Sequence, residues 1–135
     1  MLLDTNVLSE VLRRQPSLAV MKALHALRPA QRYASEVTRY ELRIDAALRD
    51  DAGRLWQRTQ QQVLSLVQWL LFDARAAMTA ADIGAALRRR GEPVEETDLF
   101  IAATALTHGF SVSTRNVHRF ERVPGLMVEN WFENA

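Results

Sequence analysis

The stretch MLLDTNVL, residues 1–8, predicts a buried strand that leads at once into a helix. Its first three residues are apolar, and Asp4, Thr5 and Asn6 carry side chains that commonly cap helices. In an open parallel sheet, ligands bind in the crevice at the carboxyl ends of the strands. Asp4 is therefore expected either to cap the following helix or to stand in such a crevice, and this stretch alone favours neither.

Outward from this stretch, short apolar segments alternate with helical patterns. Further strands are predicted at residues 32–34, 68–72, 110–113 and 126–128. Helices are predicted at residues 7–14, 17–27, 35–48, 50–67, 74–90 and 97–108. The alternation predicts an α/β sandwich whose helices cover a mainly parallel sheet. No repeat or long linker divides the sequence, so we expect one domain over residues 1–135.

The composition excludes several classes of protein. With 48% hydrophobic residues the chain is not of the disordered kind, and no apolar run is long enough to span a membrane. The absence of Cys excludes disulfides, thiolate zinc sites and a cysteine nucleophile. No secretory leader pattern opens the sequence, and we therefore expect a cytoplasmic protein. The net charge of +1 indicates no general attraction to nucleic acid.

Glu41 falls within the apolar stripe of the predicted helix 35–48. Val37 precedes it by four residues, and Ile44 and Leu48 follow at three and seven, which predicts a shared helix face. A carboxylate on a packed face is desolvated, which is costly unless a cation compensates it. The alternatives are a neighbouring arginine as partner, a position at the edge of the stripe, or a place in a functional site.

Asp98 opens the predicted helix 97–108. Ile101, Ala102 and Ala105 follow it on one face, so its side chain is expected to point towards the packed side. An acid at a helix N-terminus is ordinary, and capping therefore remains an alternative.

Asp4, Glu41 and Asp98 suit one chemistry if the fold brings them together. Three like charges at short range repel and raise one another's pKa values, and a divalent cation removes that penalty. Oxygen ligands without Cys or paired His favour Mg²⁺ or Mn²⁺ over zinc. Such a cluster fits phosphodiester hydrolysis by metal-activated water. No Ser–His or Cys–His pair is evident as a rival nucleophile.

Thr114 and Asn116 follow the predicted strand 110–113 and offer neutral oxygen ligands at another strand end. Asn116 can coordinate a metal through its carbonyl or hold a metal-bound water, but it adds no negative charge. The alternative is a turn that caps the next short helix.

Four segments of the sequence together resemble the PIN domains of the VapC type, including the FitB-like branch. In chain order they are LDTNVLSE (3–10), SEVTRYEL (35–42), ETDLFIAATA (96–105) and STRNVHRF (113–120). The first segment alone is weakly specific, whereas the ordered set is strongly specific. The resemblance implies a PIN-like fold, a parallel sheet between helices with acids at its carboxyl edge. It also implies Mg²⁺ or Mn²⁺ and endonucleolytic cleavage of RNA that leaves 5′-phosphate and 3′-hydroxyl ends.

The same resemblance implies roles for individual residues. It assigns metal binding to Asp4 and Asp98, with Glu41 as a supporting acid at the metal. Asn116 takes the fourth catalytic position, where many family members have Asp, and this departure leaves one or two bound metals as alternatives. The residues that would orient this cluster are Thr5, Asn6 and Thr114.

Partners also follow from the resemblance. Such toxins usually dimerise and are held inactive by a small cognate antitoxin of the VapB kind. The antitoxin's tail lies near the acids and its other end binds operator DNA. The resemblance thus implies a homodimer, a toxin–antitoxin hetero-oligomer, DNA contact only through the antitoxin, and no membrane association.

Two alternatives come from other classes of protein. A phosphatase of the haloacid-dehalogenase type also has Asp after its first strand, but it needs a second carboxylate two residues on, where this chain has Asn6. A non-catalytic PIN domain that binds RNA or serves as a scaffold is the other alternative, and Asn116 is its best support.

Trp131 and Phe132 are expected in the core rather than at an interface.

Overall fold

The computed structural model describes residues 1–49 and 51–133, in which five parallel strands form the central sheet. The strands are β1 (Leu2–Leu3), β2 (Tyr33–Ser35), β3 (Gln68–Leu70), β4 (Val112–Ser113) and β5 (Val128–Glu129). Their order across the sheet is β3-β2-β1-β4-β5, and every neighbouring pair is parallel. Because β1 is the central strand, the residue that follows it stands at the middle of the sheet's carboxyl edge.

Helices connect these strands. They are α1 (Thr5–Glu10), α2 (Leu18–Ala26), α3 (Glu36–Leu48), α4 (Arg54–Gln62), α5 (Ala74–Arg89), α6 (Glu96–His108) and α7 (Val117–Phe120). Gly109 ends α6 in the left-handed conformation, with φ of 69°. The described helices include none that is both long and apolar enough to cross a membrane.

The two residues of β1 pack into different cores, because successive side chains of a strand point to opposite faces. Leu3 packs with residues of α1 and α2 in a core that also holds Trp131. Leu2 packs with residues of α6, α7 and β4 in a second core. Helices therefore cover both faces of the sheet, which confirms the predicted α/β sandwich and the core position of Trp131.

Several element boundaries differ from the predictions. The first helix spans Thr5–Glu10, and it begins at Thr5 because the Asp4 carboxylate accepts a hydrogen bond from the Thr5 N–H and caps it. The helix predicted over residues 50–67 is shorter, and α4 begins only after Gly53, which has φ of 79°. The predicted start of that helix, Asp50, lies outside the described residues.

The packed face of α3 is not the predicted apolar stripe. Its buried residues are Thr38, Leu42 and Ala46, whereas Ile44 and Leu48 are 41% and 77% exposed. This helix packs against α1, α4 and α6, and the small side chains of Thr38 and Ala46 allow a close approach. The prediction that Glu41 shares a packed face with Ile44 and Leu48 is therefore wrong.

Candidate active site

Asp4 directly follows β1 and is only 3% exposed. Its Oδ1 accepts a hydrogen bond from the Thr5 N–H at 2.8 Å. Its Oδ2 accepts from the Thr114 hydroxyl at 2.7 Å and from the Asn6 amide at 3.0 Å. The side chain thus caps α1 and also lines a cleft at the sheet's carboxyl edge. Three donors from two strand ends fix the orientation of this carboxylate.

Glu41 is half-buried and meets a hydroxyl instead of an arginine. The Thr5 hydroxyl donates to Glu41 Oε1 at 2.6 Å, and the hydroxyl oxygens of Thr5 and Thr38 are 3.0 Å apart. Among the described residues no ion pair involves Glu41, and the nearby Arg39 pairs with Glu36. Thr5 therefore connects the two acids, through its N–H to Asp4 and through its hydroxyl to Glu41.

Asp98 lies in the first turn of α6 and is 6% exposed. The residue at the N-cap position is Glu95, whose side chain makes no capping hydrogen bond. The Asp98 carboxylate instead accepts a hydrogen bond from Arg119 on α7, with Nη1 and Oδ2 3.3 Å apart. The sequence predictions missed Arg119, although it follows Asn116 by three residues and a short helix there would place both on one side.

Asn116, the fourth catalytic position predicted from the sequence, lies at the same cleft. Thr114 is fully buried against Asp4, and its hydroxyl oxygen accepts a hydrogen bond from the Asn116 N–H at 2.9 Å. Asn116 precedes α7, but its side chain makes no capping hydrogen bond and lines the cleft. The Asn6 side chain accepts from the Arg115 N–H at 3.0 Å, which ties α1 to this segment.

The cleft has a volume of about 710 Å³, and charged side chains of both signs line it. The acids are Asp4, Glu10, Glu41, Asp45, Glu95 and Asp98. The arginines are Arg13, Arg49, Arg58, Arg115 and Arg119. The fold therefore brings all seven residues that the sequence singled out to one region, with Asp4, Thr5, Asn6, Glu41, Asp98 and Asn116 lining the cleft and Thr114 buried behind Asp4.

Burial and repulsion between acids raise the pKa values of Asp4 and Asp98. The pKa of Asp4 rises from 3.8 to about 6, chiefly because burial penalises the charged form; the Thr114 and Thr5 hydrogen bonds oppose the rise, and Asp98 and Glu41 add to it. Burial also raises the pKa of Asp98, Arg119 partly offsets that effect, and Glu41 and Glu95 add to it. Asp4, Glu41 and Asp98 are therefore close enough to act on one another electrostatically.

The donors fit a hard divalent cation in kind, but they do not form a complete cage. Among the described residues, no three His, Cys, Asp or Glu side chains stand close enough together to hold a metal ion by themselves. Mg²⁺ usually binds through only one or two carboxylates and keeps several waters. Asp4 and Asp98, both desolvated and mutually repelling, match that smaller requirement, whereas Glu41 is held by Thr5.

The raised pKa of Asp4 predicts a pH-dependent stability for the metal-free chain. A carboxyl whose pKa is 3.8 unfolded and about 6 folded stabilises the fold when protonated, and this contribution is lost as pH rises from about 4 to about 6. The expected loss is roughly 3 kcal/mol of unfolding free energy. Denaturant titrations in a chelator at pH 4 and pH 7, on the parent and on Asp4→Asn, measure it. Between pH 4 and pH 7, the unfolding free energy of the parent should fall by that much more than that of the variant. Equal falls would contradict a raised pKa of Asp4.

The sequence of this chain is similar to those of known proteins. The PIN-domain family matches residues 1–126 of the chain. VapC ribonuclease Y4jK of Sinorhizobium fredii is 36% identical, over 98% of this chain and 98% of its own length. Toxin FitB of Neisseria gonorrhoeae is 34% identical, over 98% of this chain and 99% of its own length. The chain belongs to the PIN-domain family.

Solved structures show which members of the PIN-domain family this chain resembles. The crystal structure of FitAcB from Neisseria gonorrhoeae matches with a TM-score of 0.88 and 34% identity, covering 98% of each chain. Other solved neighbours are VapBC proteins, one described as bound to DNA and one as a member of the VapBC family of toxin–antitoxin systems. Within the PIN-domain family the chain is a relative of VapC and FitB, which confirms the resemblance of the four segments.

Proposed function

We propose that this chain is a metal-dependent endoribonuclease and the toxin of a type II toxin–antitoxin pair. The observation that carries the proposal is Asp4, a buried carboxylate held by three donors in a cleft that it shares with Glu41 and Asp98. The names of its relatives, a ribonuclease in one case and a toxin in the other, support the same function.

Asp4 and Asp98 are the proposed ligands of Mg²⁺ or Mn²⁺, with Glu41 as a supporting acid and Asn116 as a neutral oxygen donor. Such an ion, when bound, would supply the Lewis acidity that activates water and stabilises charge on a phosphodiester under attack. The protein's part is to hold the carboxylates in place before the substrate arrives. The side chains that do so by hydrogen bonding are Thr5, Asn6 and Thr114.

The arginines of the cleft suit an RNA substrate. Arg13 and Arg58 lie towards the α1–α4 side, where the Arg58 guanidinium donates to the Leu12 carbonyl at 2.6 Å. Arg115 lies on the β4 side, stacked 3.9 Å from the centroid of the Phe132 ring. Guanidinium groups bind phosphates in pairs of hydrogen bonds, so these residues can hold a single strand across the acids. Cleavage would leave 5′-phosphate and 3′-hydroxyl ends.

The partners follow from the same relationship. We expect a homodimer, inhibited in the cytoplasm by a cognate VapB-like antitoxin that also carries the operator-DNA contact. The VapBC neighbours, one of them bound to DNA, support this assembly. An antitoxin tail in this cleft would meet side chains of both charges, six acids and five arginines.

Asn116 supports one other candidate function, a PIN domain that binds RNA without cleaving it. Its amide adds no negative charge where family members often carry Asp, and this weakens any second metal position. RNA binding without cleavage in every divalent cation tested would favour this candidate.

The purified chain, free of antitoxin, tests the proposal directly. With Mg²⁺ or Mn²⁺ it should cut single-stranded RNA internally, a chelator should stop the reaction, and excess metal should restore it. Sequencing of the new RNA ends should show 5′-phosphates. Cleavage that persists in chelator would contradict the metal-dependent mechanism, because it would require a nucleophile or base that the cleft supplies alone.

A further inference from the structure

A cation of the protein itself already stands beside Asp98. The Arg119 guanidinium lies 3.3 Å from Asp98 Oδ2 and 3.9 Å from Glu95 Oε2. The Arg119 side chain is 51% exposed, whereas the Asp98 side chain is almost completely buried. This ion pair therefore joins the buried Asp98 carboxylate, which has little freedom to move, to the long Arg119 side chain, which can change its position.

Arg119 offsets part of the cost of burying Asp98. Its guanidinium lies 3.3 Å from Asp98 Oδ2, whereas the neighbouring Glu95 carries the same charge as Asp98 and cannot compensate it. A divalent cation at Asp98 would supply the same compensation through the same carboxylate. Two cations at one carboxylate repel each other, so the guanidinium and the metal cannot both keep their best positions.

We propose that Arg119 is the counter-ion of Asp98 in the metal-free chain and that a divalent ion must displace it to bind there. The inference rests on the proposed function, because it takes Asp98 as a metal ligand. Arg119 thereby acts on metal affinity through Asp98 and is a positioning residue.

Glu95 gives the displaced side chain a second partner. Its side chain is 72% exposed, it stands at the same end of α6 as Asp98, and its carboxylate already lies within ion-pair distance of Arg119. A small rotation can therefore transfer the guanidinium from the buried acid to the exposed one without leaving the cleft. There it would face incoming RNA, where a phosphate is its natural bidentate partner.

Mn²⁺ binding to the full chain without RNA tests this inference, by calorimetry or electron paramagnetic resonance at pH 8, where protons compete least. Arg119→Gln should bind Mn²⁺ about tenfold more tightly than the parent, since an opposite charge at this distance changes an acid's affinity for a cation by at least that factor. Arg119→Lys keeps the charge and should stay close to the parent. Arg115→Gln removes an equal charge from the same cleft without touching Asp98, and it is the matched control.

The outcomes separate this inference from the function on which it rests. Tighter binding by Arg119→Gln than by Arg115→Gln supports the displacement. Equal affinity for the two variants overturns it while leaving the metal site intact. Failure of every form, the parent included, to bind Mn²⁺ overturns the proposed function as well. Thermal melting confirms folding, and Arg119→Met replaces Arg119→Gln should that variant not fold.

Discussion

Asp4→Asn should lower metal-dependent RNA cleavage by about 10³-fold, because a ligand that stabilises transition-state charge contributes several kcal/mol and each 1.4 kcal/mol is a factor of ten. Asn has nearly the shape of Asp and can still accept the hydrogen bond from the Thr5 N–H. It has no charge for a metal and presents an NH₂ group where Asp4 Oδ2 now accepts hydrogen bonds. The variant should therefore lose activity, and since it also loses hydrogen bonds at the Oδ2 position, thermal melting must show that it is folded.

Initial rates with a fluorogenic RNA, at saturating Mg²⁺ and across Mg²⁺ concentrations, measure this effect. Asp82→Asn is the matched control, since Asp82 is an exposed acid of α5 that does not belong to the cleft lining. The control should cleave RNA as the parent does. If Asp4→Asn retained a tenth of the parent's rate, Asp4 could not be a direct metal ligand.

The opening stretch was enough to predict the first strand and the helix that follows it. The apolar residues 1–3 followed by Asp4 predicted a strand that leads into a helix, and β1 is found as the central strand of the sheet. Capping and a place in the cleft were alternatives for Asp4, but the side chain does both, because its two oxygens meet different donors. A pattern along the chain cannot separate such roles when one residue fulfils both.

Contacts between distant segments were beyond the reach of local patterns. Thr114 contacts Asp4 across 110 residues of sequence, and only strand order brings them together. The ordered resemblance of the four segments predicted that meeting, but periodicity did not. The pairing of Arg119 with Asp98 was missed for the same reason, since it depends on how α7 packs against α6.

The wrong face predicted for α3 shows a limit of hydrophobic periodicity. Tyr40, Ile44 and Leu48 form the more apolar stripe, yet they are exposed. The helix instead packs through Thr38 and Ala46, whose small side chains permit close contact. The packed face of this helix therefore does not coincide with its most hydrophobic face. Glu41, which lies beside the packed face, accepts a hydrogen bond from the Thr5 hydroxyl instead of forming a salt bridge.

Asp98→Ala should abolish growth arrest when the chain is expressed in bacteria without an antitoxin. Removal of this carboxylate takes away a proposed metal ligand, and Asp4 with the neutral donor Asn116 would hold the ion weakly. The fold should survive, because the burial that raises the pKa of Asp98 makes its charge costly and Arg119 keeps Glu95 as a partner. A toxin that depends on this metal should then lose its effect without losing abundance.

Glu96→Ala is the matched control for this experiment. Glu96 lies two residues from Asp98 in the same first turn of α6, so its removal has a similar effect on the helix dipole. Its side chain is 72% exposed, and its ion pair with Arg88 at 3.9 Å contributes little at such a surface. Growth curves at equal expression, checked by immunoblot, should show arrest for the parent and Glu96→Ala only. Arrest by Asp98→Ala equal to that of the parent would mean that toxicity does not pass through this carboxylate, whatever metal the cleft binds.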